Sequence, residues 1–391
     1  MFESLNRLRR AARATGAAAS ALIVGALLAA APPLASPAGA QAYEIWALDQ
    51  GTNQLHIYDA DLKQAARVDL GARGVKSPHM IDFTSDYAYA VVAGLGSGDV
   101  AFVRTADRTI VDVVKTGPRT HMAAVAPDDR SVIADVMGDP KKPRSGALVE
   151  IKIDRANGKF SLGRSLVVAD DPVVKAAGDK FKDTAPICHD YTADGKFAYV
   201  TLGPGLKDGG LVVLDTQRFA LVKGFTPDKL KVNCGTMLAP DGKHMIVNGG
   251  GPDVGVWYAI STANHEVVKE GSSRGHDAHG TWVTPNGKEI WMVNRVTSNG
   301  VVLDARSFAV IAELKDIGKT PDIVAMSPDS RFAFVTLRGP KPITGAHLAR
   351  GTQPGFAVID VATRKLVKVV RPAEGNELSD FHGIGVRVVK K

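Results

Sequence analysis

A turn of the Pro-Asp-Gly-Lys type, followed at once by a short apolar strand, recurs about every 45 residues along this chain, and no other feature constrains the fold as strongly. The turns are Ser85-Asp86, Pro127-Asp128-Asp129, Ala193-Asp194-Gly195-Lys196, Pro240-Asp241-Gly242-Lys243, Pro285-Asn286-Gly287-Lys288 and Pro328-Asp329-Ser330. Asp-Gly and Asn-Gly pairs close tight hairpins because their backbones tolerate positive φ. A strand is predicted after each turn, at Tyr87–Val92, Ser131–Ala134, Phe197–Thr201, His244–Asn248, Glu289–Asn294 and Phe332–Thr336. Third strands end on an Asp, as in Gly210–Asp215, Gly300–Asp304 and Gly355–Asp360. Fourth strands follow, as in Ala220–Val222 and Lys365–Val370. Four short strands per unit predict the blades of a β-propeller, an all-β fold.

The chain ends predict how the ring closes. Residues 43–70 supply only three strands, Glu44–Leu48, Gln54–Tyr58 and Ala65–Leu70, and the missing innermost one is found at His382–Val388. Pairing the C-terminal strand with the N-terminal blade removes the exposed edges. Six complete units and this split one predict seven four-stranded blades over residues 41–391, with six or eight as the alternatives. Longer spacings mark insertions at 139–146, 169–184 and 339–351, expected as surface loops that suit contacts with a partner protein.

Residues 1–40 are not propeller-like. Arg7, Arg9, Arg10 and Arg13 precede an apolar stretch from Ala17 to Ala31, and small residues then lead to Ala40 and Ala42. That order predicts a signal peptide cleaved near Ala40 or Ala42 and a periplasmic location, by the Sec or the twin-arginine route. Without this leader, which carries four Arg and one Glu, the formal charge falls from +7 to +4. That balance, with no basic run interleaved with aromatics, argues against nucleic acid. No later stretch is long and apolar enough to span a bilayer. Gly-x-Ser-x-Gly, His-Glu-x-x-His, phosphate-loop and Cys-x-x-Cys-His motifs are all missing, so familiar hydrolase chemistry and covalent haem have no support.

Aligning the units on their turns brings out a chemical register. His79, His121, Cys234, His279 and Asp322 each stand six residues before a turn, His189 stands four before Ala193, and His382 opens the closing strand. In a propeller the inner strands flank the central channel, so these side chains are expected to converge at one mouth of it. Imidazoles and a thiolate are ligand types for copper, zinc or iron. The expected metal ligands are therefore His79, His121, His189, His279, His382 and Cys234, with copper favoured and zinc an alternative. Asp49, Asp135, Asn248, Arg295 and Arg338 lie at or just past the ends of second strands, on the same mouth, and are candidates to bind a cofactor or an anionic substrate. Cys188 and Cys234 open neighbouring inner strands, which leaves a disulfide open. Without a metal, the ring would be structural and the loops would make the chain a non-catalytic binding module.

Strands such as Phe197-Ala198-Tyr199-Val200-Thr201-Leu202 resemble the YVTN repeat family of bacterial propellers, over nearly the whole chain after the leader. The histidine register at His79, His121, His189, His279 and His382 is similar to that of two redox propellers. One is the N-terminal propeller of nitrous-oxide reductase, with a copper cluster on axial histidines. The other is the d1-haem domain of cytochrome-type nitrite reductase and its accessory proteins. The resemblance implies a metal-dependent oxidoreductase, or a metal- or cofactor-handling protein, with a small-molecule substrate or a redox partner. It adds haem d1 as an alternative cofactor. The sequence departs from both in carrying no electron-transfer copper domain downstream and no c-haem attachment.

Overall fold

The computed structural model describes residues 41–345, 349–372 and 376–389. The expected leader at 1–40 lies outside the described residues, as does His347. The repeated turn has a side-chain cause. Thr84, Thr192, Thr284 and Ser327 donate to the turn's Asp or Asn oxygen at 2.6–2.8 Å. The same hydroxyls accept the N–H that opens the next strand at Tyr89, Phe197, Glu289 and Phe332. One residue per turn must take the left-handed conformation, where glycine is least strained. Gly195, Gly242 and Gly287 do so at φ of 68°, 64° and 69°. In the first such turn that position falls to Tyr87, at φ 60°. The strand predicted at Tyr87–Val92 accordingly runs from Tyr89 to Gly94.

Seven four-stranded antiparallel sheets form the ring. In the closing blade, Phe381–Val388 pairs with Tyr43–Asp49, which pairs in turn with Gln54–Asp59 and then Gln64–Asp69. The other blades follow in chain order from the inner strands Pro78–Phe83, Thr120–Val125, Ala185–Tyr191, Thr236–Leu238, Ala278–Val283 and Pro321–Met326. All-β architecture, seven blades and closure by the C-terminal strand are therefore as expected.

Apolar residues from facing blades interleave. Trp46, Leu48, Ala90 and Val92 share one fully buried cluster, and Tyr199, Val213, Met245 and Val247 share another. Each fully buried aliphatic side chain contributes about 1.5–3 kcal/mol. Carboxylates also tie inner strands together: Asp82 accepts from the Val125 amide (2.8 Å) and Asp190 from the Leu238 amide (2.6 Å). Burial pushes the Asp82 carboxyl up to about 6, against the pull of its backbone hydrogen bonds. The insertion after Val167 forms a short helix, Pro172–Ala176, whose cap Asp171 also accepts from the Leu221 amide (3.0 Å). Arg144 donates to the Phe181 carbonyl and ties the 139–146 loop to this insertion.

Candidate metal centre at the propeller axis

Inner strands slip against their partners at recurring β-bulges. The slips fall between Pro78 and Ile81, Thr120 and Met122, Pro186 and His189, Ala278 and Thr281, and Pro321 and Val324. A bulge breaks the strict alternation of side chains and re-aims one of them. The residues re-aimed here are His79, His121, Ile187, His279 and Asp322. Cys234 and His382 occupy the same position in the two remaining blades. Glycine follows several of them because backbones meet there. A Cβ on Gly280 would lie 2.2 Å from the Asp322 carbonyl oxygen, and one on Gly383 2.5 Å from that of His79.

The fourth blade differs from the expected alignment. Ile187 holds its axial position, and His189 lies two residues further down the strand. Nδ1 of His189 is 2.7 Å from Asp135 Oδ2, with both side chains fully buried. Burial works against the charge on His189, but Asp135 outweighs it and the pKa is raised. His189 and Asp135 thus form a buried hydrogen-bonded pair apart from the other histidines.

The axial side chains touch in a chain. His121 Nε2 lies 3.0 Å from His79 Nε2, and the His79 ring stacks on His382 with centroids 3.6 Å apart. His382 Nε2 is 3.6 Å from Asp322 Oδ2, and His279 Nε2 is 3.2 Å from Asp322 Oδ1. One ligand atom each from His279, Asp322 and His382 lie within 4.8 Å of one another. Burial, reinforced by neighbouring imidazoles and guanidiniums, holds His79, His279 and His382 well below the usual imidazole pKa and His121 at about 3. At neutral pH these rings are uncharged lone-pair donors.

Outer contacts orient the rings. Gln50 donates to Asp380 Oδ2 (2.8 Å), which leaves its carbonyl oxygen to accept from His79 Nδ1 (2.9 Å). His382 Nδ1 donates to the His79 carbonyl (3.0 Å). Both rings then carry their proton on Nδ1; His382 presents a bare Nε2, while that of His79 accepts from His121 Nε2. Arg338 bridges Asp380 and Asp322 at 2.7 and 2.9 Å, while Arg295 clamps Asp277 (2.7 Å) and lies 3.6 Å from Asp322. Two buried guanidiniums face three buried carboxylates, so one negative charge is in excess. Asp322 Oδ1 accepts no hydrogen bond among the described residues. Arg295 also reaches His279 Nε2 at 3.4 Å. An orphan carboxylate oxygen, the bare His382 Nε2 and surplus negative charge fit a bound cation.

The remaining candidates divide between packing and the site. Asp49 accepts from the amides of Gly51 (3.1 Å) and Asp380 (2.9 Å), holding the closure turn. Asn248 accepts from Gly235 and donates to the His279 carbonyl, both at 2.8 Å, joining two inner strands. Of the five polar candidates, Arg295 and Arg338 alone touch the axial carboxylate. Cys188 and Cys234 are free, buried thiols, with burial pushing both pKa values up. Cys234 Sγ contacts His279 Nδ1, and Cys188 Sγ is 4.0 Å from His121 Nδ1. Gln50, Asp277 and Asp380 were not expected. Asp277 had a signal, since it precedes His279 by two residues as Ser77 precedes His79, and both take positive φ.

A cavity of about 510 Å³ opens at the group, lined by His79, His121, Cys234, His279 and His382 and by the apolar side chains of Leu95, Met137 and Ile187. The 339–351 insertion contributes Ile343, Thr344 and Gly345 to its rim. A few convergent polar groups in a largely apolar cleft are the usual form of a small-molecule site.

Fold and site together define the class: a seven-bladed β-propeller with a buried histidine–aspartate group at its axis. No protein-family model and no curated protein sequence matches the chain. Among solved structures, hydrazine synthase of Kuenenia stuttgartiensis superposes with a TM-score of 0.59 at 16% identity, covering 82% of this chain and 90% of that one. The dihydro-haem d1 dehydrogenase NirN, in complex with DHE, gives 0.55 at 16%, covering 87% and 74%. A functionally unknown protein from Desulfotomaculum acetoxidans gives 0.62 at 12%, covering 89% and 99%. At such identities the likeness is one of fold.

Proposed function

We infer that this chain is an exported, periplasmic metalloprotein whose axial site binds one first-row transition-metal ion and serves redox chemistry on a small substrate. His279, Asp322 and His382 would hold the ion, with His79 and His121 beside it. An orphan oxygen on Asp322, whose carboxylate stands 3.2 Å from His279 Nε2 and 3.6 Å from His382 Nε2, carries this reading. Copper is the ion of choice, because nitrogen and oxygen sites of a given shape hold Cu²⁺ more tightly than Zn²⁺ or Fe²⁺. Bound there, the metal would supply one-electron exchange and polarise a substrate oxygen or nitrogen. The chain's own residues prepare the site. Gln50 and the His79 carbonyl fix the ring protons on Nδ1, Arg338 and Arg295 orient the carboxylate, and the cavity walls restrict water. His189, in this account, is a structural partner of Asp135 and not a ligand. Hydrazine synthase and NirN, two neighbours in fold, are redox enzymes, which agrees with such a role.

Haem d1 is a second reading, favoured by the likeness to NirN in complex with DHE. Elemental analysis and an absorption spectrum of protein purified without chelators or affinity histidines separate the two. Near-stoichiometric copper that is lost in His279→Ala supports the axial metal. A haem band supports the second reading. Protein that stays colourless and metal-free after incubation with copper and zinc overturns both, and points to the loops 139–146, 169–184 and 339–351 as the binding surface.

A further inference from the structure

The two walls of the axial cavity differ in chemistry. On the side of Cys234, Asp277, His279 and Arg295 it is polar. Another part of its lining belongs to a small apolar cluster separate from the blade cores, in which Leu95, Met137, Ile187 and Cys188 are all nearly buried. Arg119 stands over this apolar wall, two residues before His121. Its backbone takes φ 62° and is pinned by the Met137 amide, which donates to its carbonyl (3.0 Å).

Among the described residues the guanidinium of Arg119 has no carboxylate partner. Its contact is with Met137 Sδ, at 3.4 Å, a weak acceptor. No carboxylate among the described residues lies within ion-pair distance. Asp183 feels its charge, but one oxygen of that carboxylate accepts from the Ala185 amide (2.9 Å). Arg295, the other guanidinium on the cavity wall, is already clamped on Asp277. Arg119 therefore offers a planar donor fork, of the geometry that carboxylates take in bidentate fashion, above an apolar surface.

We propose that the cavity binds an amphipathic organic monocarboxylate, its acid group on Arg119 and its apolar body against Leu95, Met137 and Ile187. Resting on the metal site proposed above, the far end of such a ligand reaches the imidazole wall, where it is the substrate. The volume of about 510 Å³ suits a molecule much larger than an inorganic anion.

Binding of acetate, hexanoate and hexanamide is measured by calorimetry on wild type, Arg119→Lys and Arg119→Gln, each in metal-free and copper-loaded form. Hexanoate is expected to bind wild type at least tenfold more tightly than either acetate or hexanamide. Arg119→Gln is expected to lose that margin for hexanoate while leaving hexanamide unchanged, with Arg119→Lys between. The preference is expected in the metal-free protein too, so a failure of copper binding on the same samples counts against the metal and not against the acid. Equal binding of hexanoate and hexanamide overturns the proposal. So does acetate binding as tightly as hexanoate, hexanoate binding that ignores Arg119, or no binding of any of the three.

Discussion

Arg338 holds both carboxylate oxygens of Asp380 at 2.7 Å, and through this pair the last complete blade grips the residue that leads into the closing strand. The same guanidinium donates to Asp322 at 2.9 Å, so ring closure and the axial site share one buried cation. Removing it leaves two carboxylates buried beside each other. Arg338→Met is expected to lose about 3–5 kcal/mol of stability in urea unfolding, the usual cost of stranding a buried charge. A loss under about 1 kcal/mol would contradict the bridge.

His189 and Ile187 give opposite predictions. His189→Gln is expected to leave metal content unchanged and to cost about 3 kcal/mol or more, since Asp135 loses its buried partner. Ile187→His restores an imidazole at the axial position of the fourth blade and is expected to tighten copper binding in a competition titration. Loss of metal from His189→Gln, with the fold intact, would place the fourth-blade ligand where sequence alone put it.

The fourth blade separates what is legible in the sequence from what is not. The turns were legible because Asp-Gly and Asn-Gly report backbone φ directly, and closure was legible because 43–70 lacked one strand. Counting six residues back from Ala193 lands on Ile187. The imidazole nearest that register is His189, two residues on, and the bulge between Pro186 and His189 leaves no composition signal of its own. Asp322 sat in the register, but that it faces two imidazoles with an orphan oxygen depends on which way each bulge turns. The roles of Gln50 and Asp380 rest on contacts across 330 positions in the chain and have no local signature.

The imidazoles of the axial group set the acid stability. Their pKa values are lower folded than unfolded, so the unfolded chain takes up protons first as pH falls. The stability they support is present above about pH 6.5 and is lost as pH falls towards the folded values, near 3 for His121. Each such group steepens the loss by about 1.4 kcal/mol per pH unit within that window. His189 runs the other way, because its pKa is raised: its contribution is present below about pH 6.5 and fades as pH rises through the folded value. Unfolding free energies from pH 7 to 4 are expected to fall less steeply in His121→Gln than in wild type. Parallel slopes would show that His121 is not buried uncharged.

Both cysteines are buried free thiols with raised pKa, so neither forms a reactive thiolate in the folded protein. A thiol reagent is expected to label neither at pH 8 in native protein and both after unfolding without reductant. Two thiols that appear only once reductant is added would mean a disulfide.

Anomalous diffraction at the copper edge, on crystals of protein loaded with one equivalent of copper, tests the central claim most directly. The account predicts one dominant peak bounded by His279 Nε2, His382 Nε2 and an oxygen of Asp322, absent in Asp322→Ala. A dominant peak at the exposed His244–Asp241 pair, or none above background at the axis, would contradict a metal centre there.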